Sequence, residues 1–210
     1  MAQSHDGDPA ASGQKRIGII LFNEFETLDV FGPVQMLGRL PDYRLVAITQ
    51  DGTAVTSSQG LISLAHHAFL DAPHLDILLV PGGMGTRREI ENLVLLDFLR
   101  ARSDDADYVT SVCTGAALLA KAGILDGRNA TTNKAAFDWV AGQSDKVAWQ
   151  RHARWVADGK FMTSSGVSAG TDMALALVAS LHDRDTAEKT AREAEYVWND
   201  DPHKDPFAID

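Results

Sequence analysis

A doubly wound, mostly parallel α/β sheet with helices on both faces is the fold this sequence predicts, and three observations predict it. Strand-length runs rich in apolar and β-branched residues recur, at Arg16 to Phe22, Asp76 to Val80 and Tyr108 to Val112, without polar–apolar alternation. That is the pattern of strands covered on both faces. Stretches of helical length with apolar residues three and four apart separate the runs. Turn signals follow directly at the strand ends, as in Pro81-Gly82-Gly83.

Taken in order, Arg16 to Phe22 is the first strand. Leu28 to Leu40 follows with helical spacing of Leu28, Phe31, Met36 and Leu37, and Tyr43 to Thr49 supplies a second strand, completing a βαβ unit. Asp76 to Val80 leads through the glycine turn into a helix predicted over Arg87 to Arg100, with Ile90, Leu93, Val94 and Phe98 on one face. Tyr108 to Val112 ends at Cys113, and Thr114 to Ala122 is rich enough in Ala and Leu to begin a helix at once. Asn129 to Thr132 reads as a short strand and Lys134 to Val140 as a helix. Trp155 to Thr163 reads as a hairpin, because Asp158-Gly159 suits a tight two-residue turn. Helices over Ser168 to Leu181 and Asp185 to Trp198 close the pattern. Residues 1–15 are expected to be a disordered tail, 16–198 one α/β domain, and 199–210 a polar tail.

Composition narrows the function. With 45% hydrophobic and 23% charged residues in 210, the chain has ordinary globular composition and can bury a sizeable core. A net charge of −10 opposes binding to phosphate backbones, so nucleic acid is not an expected partner. The apolar runs are too short to span a bilayer, and no membrane association is expected. One cysteine cannot form an internal disulfide, and the first residues lack the apolar core of a secretory signal, so the expected location is cytoplasmic. His66-His67 has no third partner at zinc-ligand spacing, so no metal is expected.

Cys113 is the residue singled out. A thiol between a strand and a helix lies at the positive end of the helix dipole, which favours the thiolate, and projects from a sharp turn. Parallel sheets bind ligands at the carboxyl ends of their strands, where Cys113 and Gly82-Gly83 both fall. The Thr114 backbone N–H and the permissive Gly82-Gly83 turn are expected to donate to an oxyanion. A lone cysteine also serves as a small core residue.

Five motifs occur together: Val80-Pro-Gly-Gly83, Thr110-Ser-Val-Cys-Thr-Gly-Ala116, Ala122-Gly-Ile-Leu-Asp-Gly-Arg128, Ala130-Thr-Thr132 and Ser164-Ser-Gly-Val-Ser-Ala-Gly170. In this order, from about Arg16 to Trp198, the chain resembles the ThiJ/PfpI superfamily, with its class I glutamine amidotransferase-like architecture. The resemblance implies a flavodoxin-like sandwich, a homodimer, no cofactor, and a cysteine at a nucleophile elbow. Leu28-Asp29-Val-Phe-Gly-Pro33 together with Cys-Thr-Gly is similar to the isocyanide hydratases. That similarity implies that Cys113 is the nucleophile, that Asp29 manages protons beside it, and that Thr114 helps bind a small-molecule substrate. By its position alone, Asp29 also suits the first turn of a helix.

One position departs from the superfamily pattern. Many members carry a histidine just after Ala-Thr-Thr, and here that slot is Asn133, which cannot accept and return a proton at neutral pH. A Cys–His amidase or glutaminase is thereby disfavoured. Two other readings use the same residues: a redox sensor based on oxidation of Cys113, and the ligand-sensing part of a transcription regulator, which would need a separate DNA-binding partner.

Overall fold

The computed structural model describes residues 13–209. Eleven strands are present among them: β1 (Lys15–Ile20), β2 (Tyr43–Thr49), β3 (Val55–Thr56), β4 (Ile62–Ser63), β5 (His67–Ala68), β6 (Ile77–Val80), β7 (Tyr108–Val112), β8 (Asn129–Ala130), β9 (Ala148–Trp149), β10 (Trp155–Asp158) and β11 (Phe161–Ser164). The helices are α1 (Thr27–Leu37), α2 (Thr86–Glu89), α3 (Leu93–Asp105), α4 (Gly115–Lys121), α5 (Phe137–Ala141), α6 (Ala169–Leu181) and α7 (Arg184–Glu193). Seven strands form one sheet in the order β10-β11-β7-β6-β1-β2-β5. All pairs are parallel except the β10–β11 hairpin, which turns at Asp158-Gly159 as expected. The remaining four strands make two small pairs, β3 with β4 and β8 with β9.

The runs without alternation take the middle of the sheet. Every residue of β6 is buried, and β7 is buried from Val109 onward. Helices cover both faces in two groups, with α1 and α7 packed on α6, and α2, α3 and α5 packed on α4. The doubly wound expectation therefore holds.

Several details differ from expectation. The single helix predicted over Arg87 to Arg100 is two, because Asn92 begins the second by accepting at Oδ1 from the Leu95 N–H (3.3 Å). Only the second reaches the core along its length, burying Leu95, Leu96, Phe98 and Leu99 while Leu93 and Val94 stay exposed. In α1 the buried face carries Asp29, Val30, Gly32, Pro33 and Met36, whereas Leu28 and Phe31 are exposed. The helix predicted to run to Trp198 stops at Glu193, and Glu195 (φ 51°) turns the chain inward. Of the expected N-terminal tail, residues 1–12 lie outside the described residues, and Lys15 already belongs to β1. The segment expected as a C-terminal tail folds back: Pro202 accepts from the Arg154 N–H (2.7 Å), and Asp205 is buried. Among the described residues no helix is long and apolar enough to cross a membrane.

Candidate active site

Three connections at the carboxyl ends of the central strands build the site. After β7 the chain passes through Cys113 with φ 56°, a left-handed conformation that costs a side-chain-bearing residue of order 1–3 kcal/mol. Its backbone is held at both ends to sustain this. The Cys113 N–H donates to Ser164 O (3.2 Å), and its carbonyl accepts from the Thr132 hydroxyl (2.7 Å). Gly115, which opens α4, has to be glycine because a side chain there would collide with the Val80 carbonyl.

After β6 comes Gly82, pressed between the other two pieces. A side-chain carbon on Gly82 would lie 2.5 Å from Thr114 N and 2.9 Å from Asp29 Oδ2. The Gly82 N–H donates to Asp29 Oδ2 (2.8 Å), and its carbonyl accepts from the Glu26 N–H (2.8 Å). One peptide segment thus clamps the first turn of α1 against the cysteine turn. Gly83 donates through its N–H to Thr114 Oγ1 (3.1 Å), and the Thr86 hydroxyl lies 3.1 Å from the same atom. Both glycine N–H groups, expected as oxyanion donors, are therefore committed inside the protein: Gly82 orients Asp29, and Gly83 orients Thr114.

Asp29 is completely buried, and its Oδ1 has no hydrogen-bond partner among the described residues. Burial pushes its carboxyl up to about 8, the Gly82 N–H pulls back, the nearby Glu26 charge adds to the rise, and the Cys113 thiol pulls back slightly. Cys113 is only 6% exposed. Burial first, and then the Asp29 charge, push its thiol well above the ordinary value, against the pull of the Thr114 N–H and hydroxyl. This corrects the expectation that the helix dipole yields a ready thiolate. Desolvation outweighs the dipole of a seven-residue helix.

Asn133 does not act as a base. Its Oδ1 accepts from the Ala136 N–H (3.0 Å). A side chain on Gly166 would collide with Asn133 Nδ2 and lie 2.8 Å from Cys113 Sγ, so Gly166 fills the space between sulfur and amide. Among the described residues no group of three His, Cys, Asp or Glu side chains is placed to hold a metal ion. Sequence reasoning brought Asp29, Cys113, Thr114 and Gly82-Gly83 to one place, as the structure does. It missed Glu26, Thr86 and Gly166. The Ser164 to Gly170 motif was the one signal for Gly166, and nothing in the sequence marked Thr86.

The sequence profile of the DJ-1/PfpI family matches residues 15–180. The chain belongs to the DJ-1/PfpI family. Among curated relatives it is 40% identical to isonitrile hydratase of Pseudomonas putida, over 87% of this chain and 78% of that one. It is also 28% identical to the transcriptional regulator GbdR of Pseudomonas aeruginosa, over 84% of this chain but only 49% of the regulator. Among solved structures, a ThiJ/PfpI family protein from Pseudomonas syringae superposes with a TM-score of 0.82 at 33% identity, covering 88% of this chain and 76% of the other. DJ-1beta of Drosophila melanogaster shares the fold, with a TM-score of 0.77 at 20% identity over 88% of this chain and all of that one.

Proposed function

We propose that this DJ-1/PfpI protein is a cofactor-free hydratase that turns a small isocyanide and water into an N-substituted formamide. The observation that carries the reading is the buried Asp29, with its Oδ1 unpartnered, set against a cysteine on a strained strand-to-helix turn. The 40% identity to an isonitrile hydratase supports it.

The chemistry suits the electrostatics. A site that opposes charge on both carboxyl and thiol favours an uncharged substrate, and a sulfur 6% exposed favours a slim one. An isocyanide, R–N≡C, has a linear, neutral head with an electrophilic terminal carbon. Asp29 and Cys113 together hold one mobile proton once the pair has lost its first, and Asp29 ionises before the thiol. The Asp29 carboxylate then takes the thiol proton as sulfur bonds to carbon and delivers it to that carbon, giving R–N=CH–S–Cys113 with Asp29 ionised again. Water adds to the same carbon, Asp29 taking its proton and passing it to nitrogen, which gives R–NH–CH(OH)–S–Cys113 with Asp29 ionised again. Collapse to R–NH–CHO breaks the carbon–sulfur bond, and the hydroxyl proton passes through Asp29 to the departing sulfur. Thr114, fixed by Gly83 and Thr86, steadies the sulfur through its N–H and hydroxyl.

Amide hydrolysis fits less well, because Asn133 occupies the place of a base. Oxidation sensing asks for an accessible thiolate of low pKa, and Cys113 is neither accessible nor low. The test is to incubate the purified protein with alkyl and aryl isocyanides and measure formamide. Catalytic production that Cys113→Ala abolishes is expected; equal rates from protein and variant would end the proposal.

A further inference from the structure

The first turn of α1 carries Asp29, yet the residue that precedes the helix, Glu26, makes no side-chain cap. The cap comes from elsewhere in the chain. Gln59, in the turn between β3 and β4, accepts at Oε1 from the Thr27 N–H (3.0 Å) and donates from Nε2 to Glu26 Oε1 (2.8 Å). The hairpin is stitched to the same stretch by further bonds. Ser58 N–H donates to Phe25 O (2.8 Å), Thr27 Oγ1 to Ser57 Oγ (2.8 Å), Thr56 N–H to Asn23 Oδ1 (3.0 Å), and Glu24 N–H to Thr56 O (2.7 Å). A hairpin of two two-residue strands has little stability of its own, so these bonds make it part of the α1 entrance.

We infer that Gln59 is a positioning residue for the site: it holds the Glu26 carboxylate against the first turn of α1 while capping that helix, and so sets the charge felt by the buried Asp29–Cys113 pair. The charged and titratable groups that face Asp29 are Glu26, at the entrance to its helix, and Cys113 on the facing turn. Glu26 opposes ionisation of both. Glu24, nearby in sequence, is turned to Arg88 (3.0 Å). Freed of Gln59, the half-buried Glu26 side chain moves toward solvent, where its charge is screened.

The inference rests on Asp29 and Cys113 as the reacting pair, but it is tested on the thiol without turnover, so an inactive hydratase assay leaves it standing or falling on its own. The pH dependence of Cys113 alkylation by iodoacetamide, followed by mass spectrometry, is measured for the whole chain and four variants. Glu26→Gln and Gln59→Ala should each lower the midpoint by about half a unit, and the double variant should go no lower than Glu26→Gln alone. Gln59→Glu keeps an acceptor for the Thr27 N–H but adds charge, and should raise the midpoint. A purely structural cap would not give opposite signs. An unmoved midpoint in Glu26→Gln, or shifts of the same sign in the two Gln59 variants, overturns the inference. Should Gln59→Ala lose its fold, the sign of Gln59→Glu decides alone.

Discussion

At the scale of the residue, the decisive fact is that desolvation governs Asp29 and Cys113 together. Since Asp29 ionises near pH 8 and the thiol only well above its ordinary value, the one-proton form of the pair accumulates as pH rises through about 8. The rate should therefore climb from pH 6 through half its maximum near pH 8 and level off only above about 9, read as kcat/KM against pH. Asp29→Asn keeps an acceptor for the Gly82 N–H but cannot carry a proton; it should lose that limb and about 10²–10⁴-fold in rate. A variant with the wild-type pH profile would remove Asp29 from the chemistry. Stability moves the other way. A carboxyl whose folded pKa lies above its unfolded value favours the folded state at low pH, and that contribution is lost as pH rises from about 4 through 8. Asp29→Asn should accordingly come nearest the natural protein at about pH 4 and exceed its urea midpoint by more at pH 8. Equal midpoints at both pH values would contradict the burial argument.

The elements show where sequence patterns are legible and where they are not. The central strands and the Cys113 turn were readable because continuous apolar runs have few other uses, and Asp158-Gly159 announced its hairpin. The β3–β4 hairpin and edge strand β5 were not, since two-residue pairings leave no periodicity. Leu28 and Phe31 misled as core residues of α1, because the helix turns its Asp29 face inward. The neighbouring Gly32 shows why α1 sits so close to α6: a side chain there would collide with Thr171 Oγ1. Gly32→Ala should cost about 1–3 kcal/mol in chemical denaturation, and adding Thr171→Ala should restore most of it. No rescue would mean that the close approach is not what Gly32 provides.

Over the whole molecule, the segment after α7 is tied to the sheet through buried charge. Asp172, a carboxylate inside the otherwise apolar stripe of α6, binds Arg154 twice (2.5 and 2.7 Å) and accepts from the Tyr196 hydroxyl (3.0 Å) and the Asn199 N–H (3.0 Å). Asp205 lies 3.8 Å from Lys134 Nζ and 3.7 Å from Arg154. Lys134 also donates to Thr131 Oγ1 (2.8 Å), two residues from the Asn133 slot. These pairings join residues far apart in the chain, and a polar composition after residue 199 gives no hint of them. Removing Asp205 by substitution with Ala leaves two buried cations short of a partner, and should lower stability by about 3 kcal/mol in urea titration. An unchanged midpoint would show that the segment is only draped over the surface.

In the proposed reaction Cys113 sulfur bonds to the isocyanide carbon while Asp29 carries the proton. The most direct measurement is mass spectrometry of protein quenched in acid during turnover. The expected result is a Cys113 peptide heavier by the entire mass of the isocyanide, diminishing as formamide appears and absent from Cys113→Ala. Formamide formed at full rate with no such adduct at any time point, or an adduct that never proceeds to formamide, would contradict it.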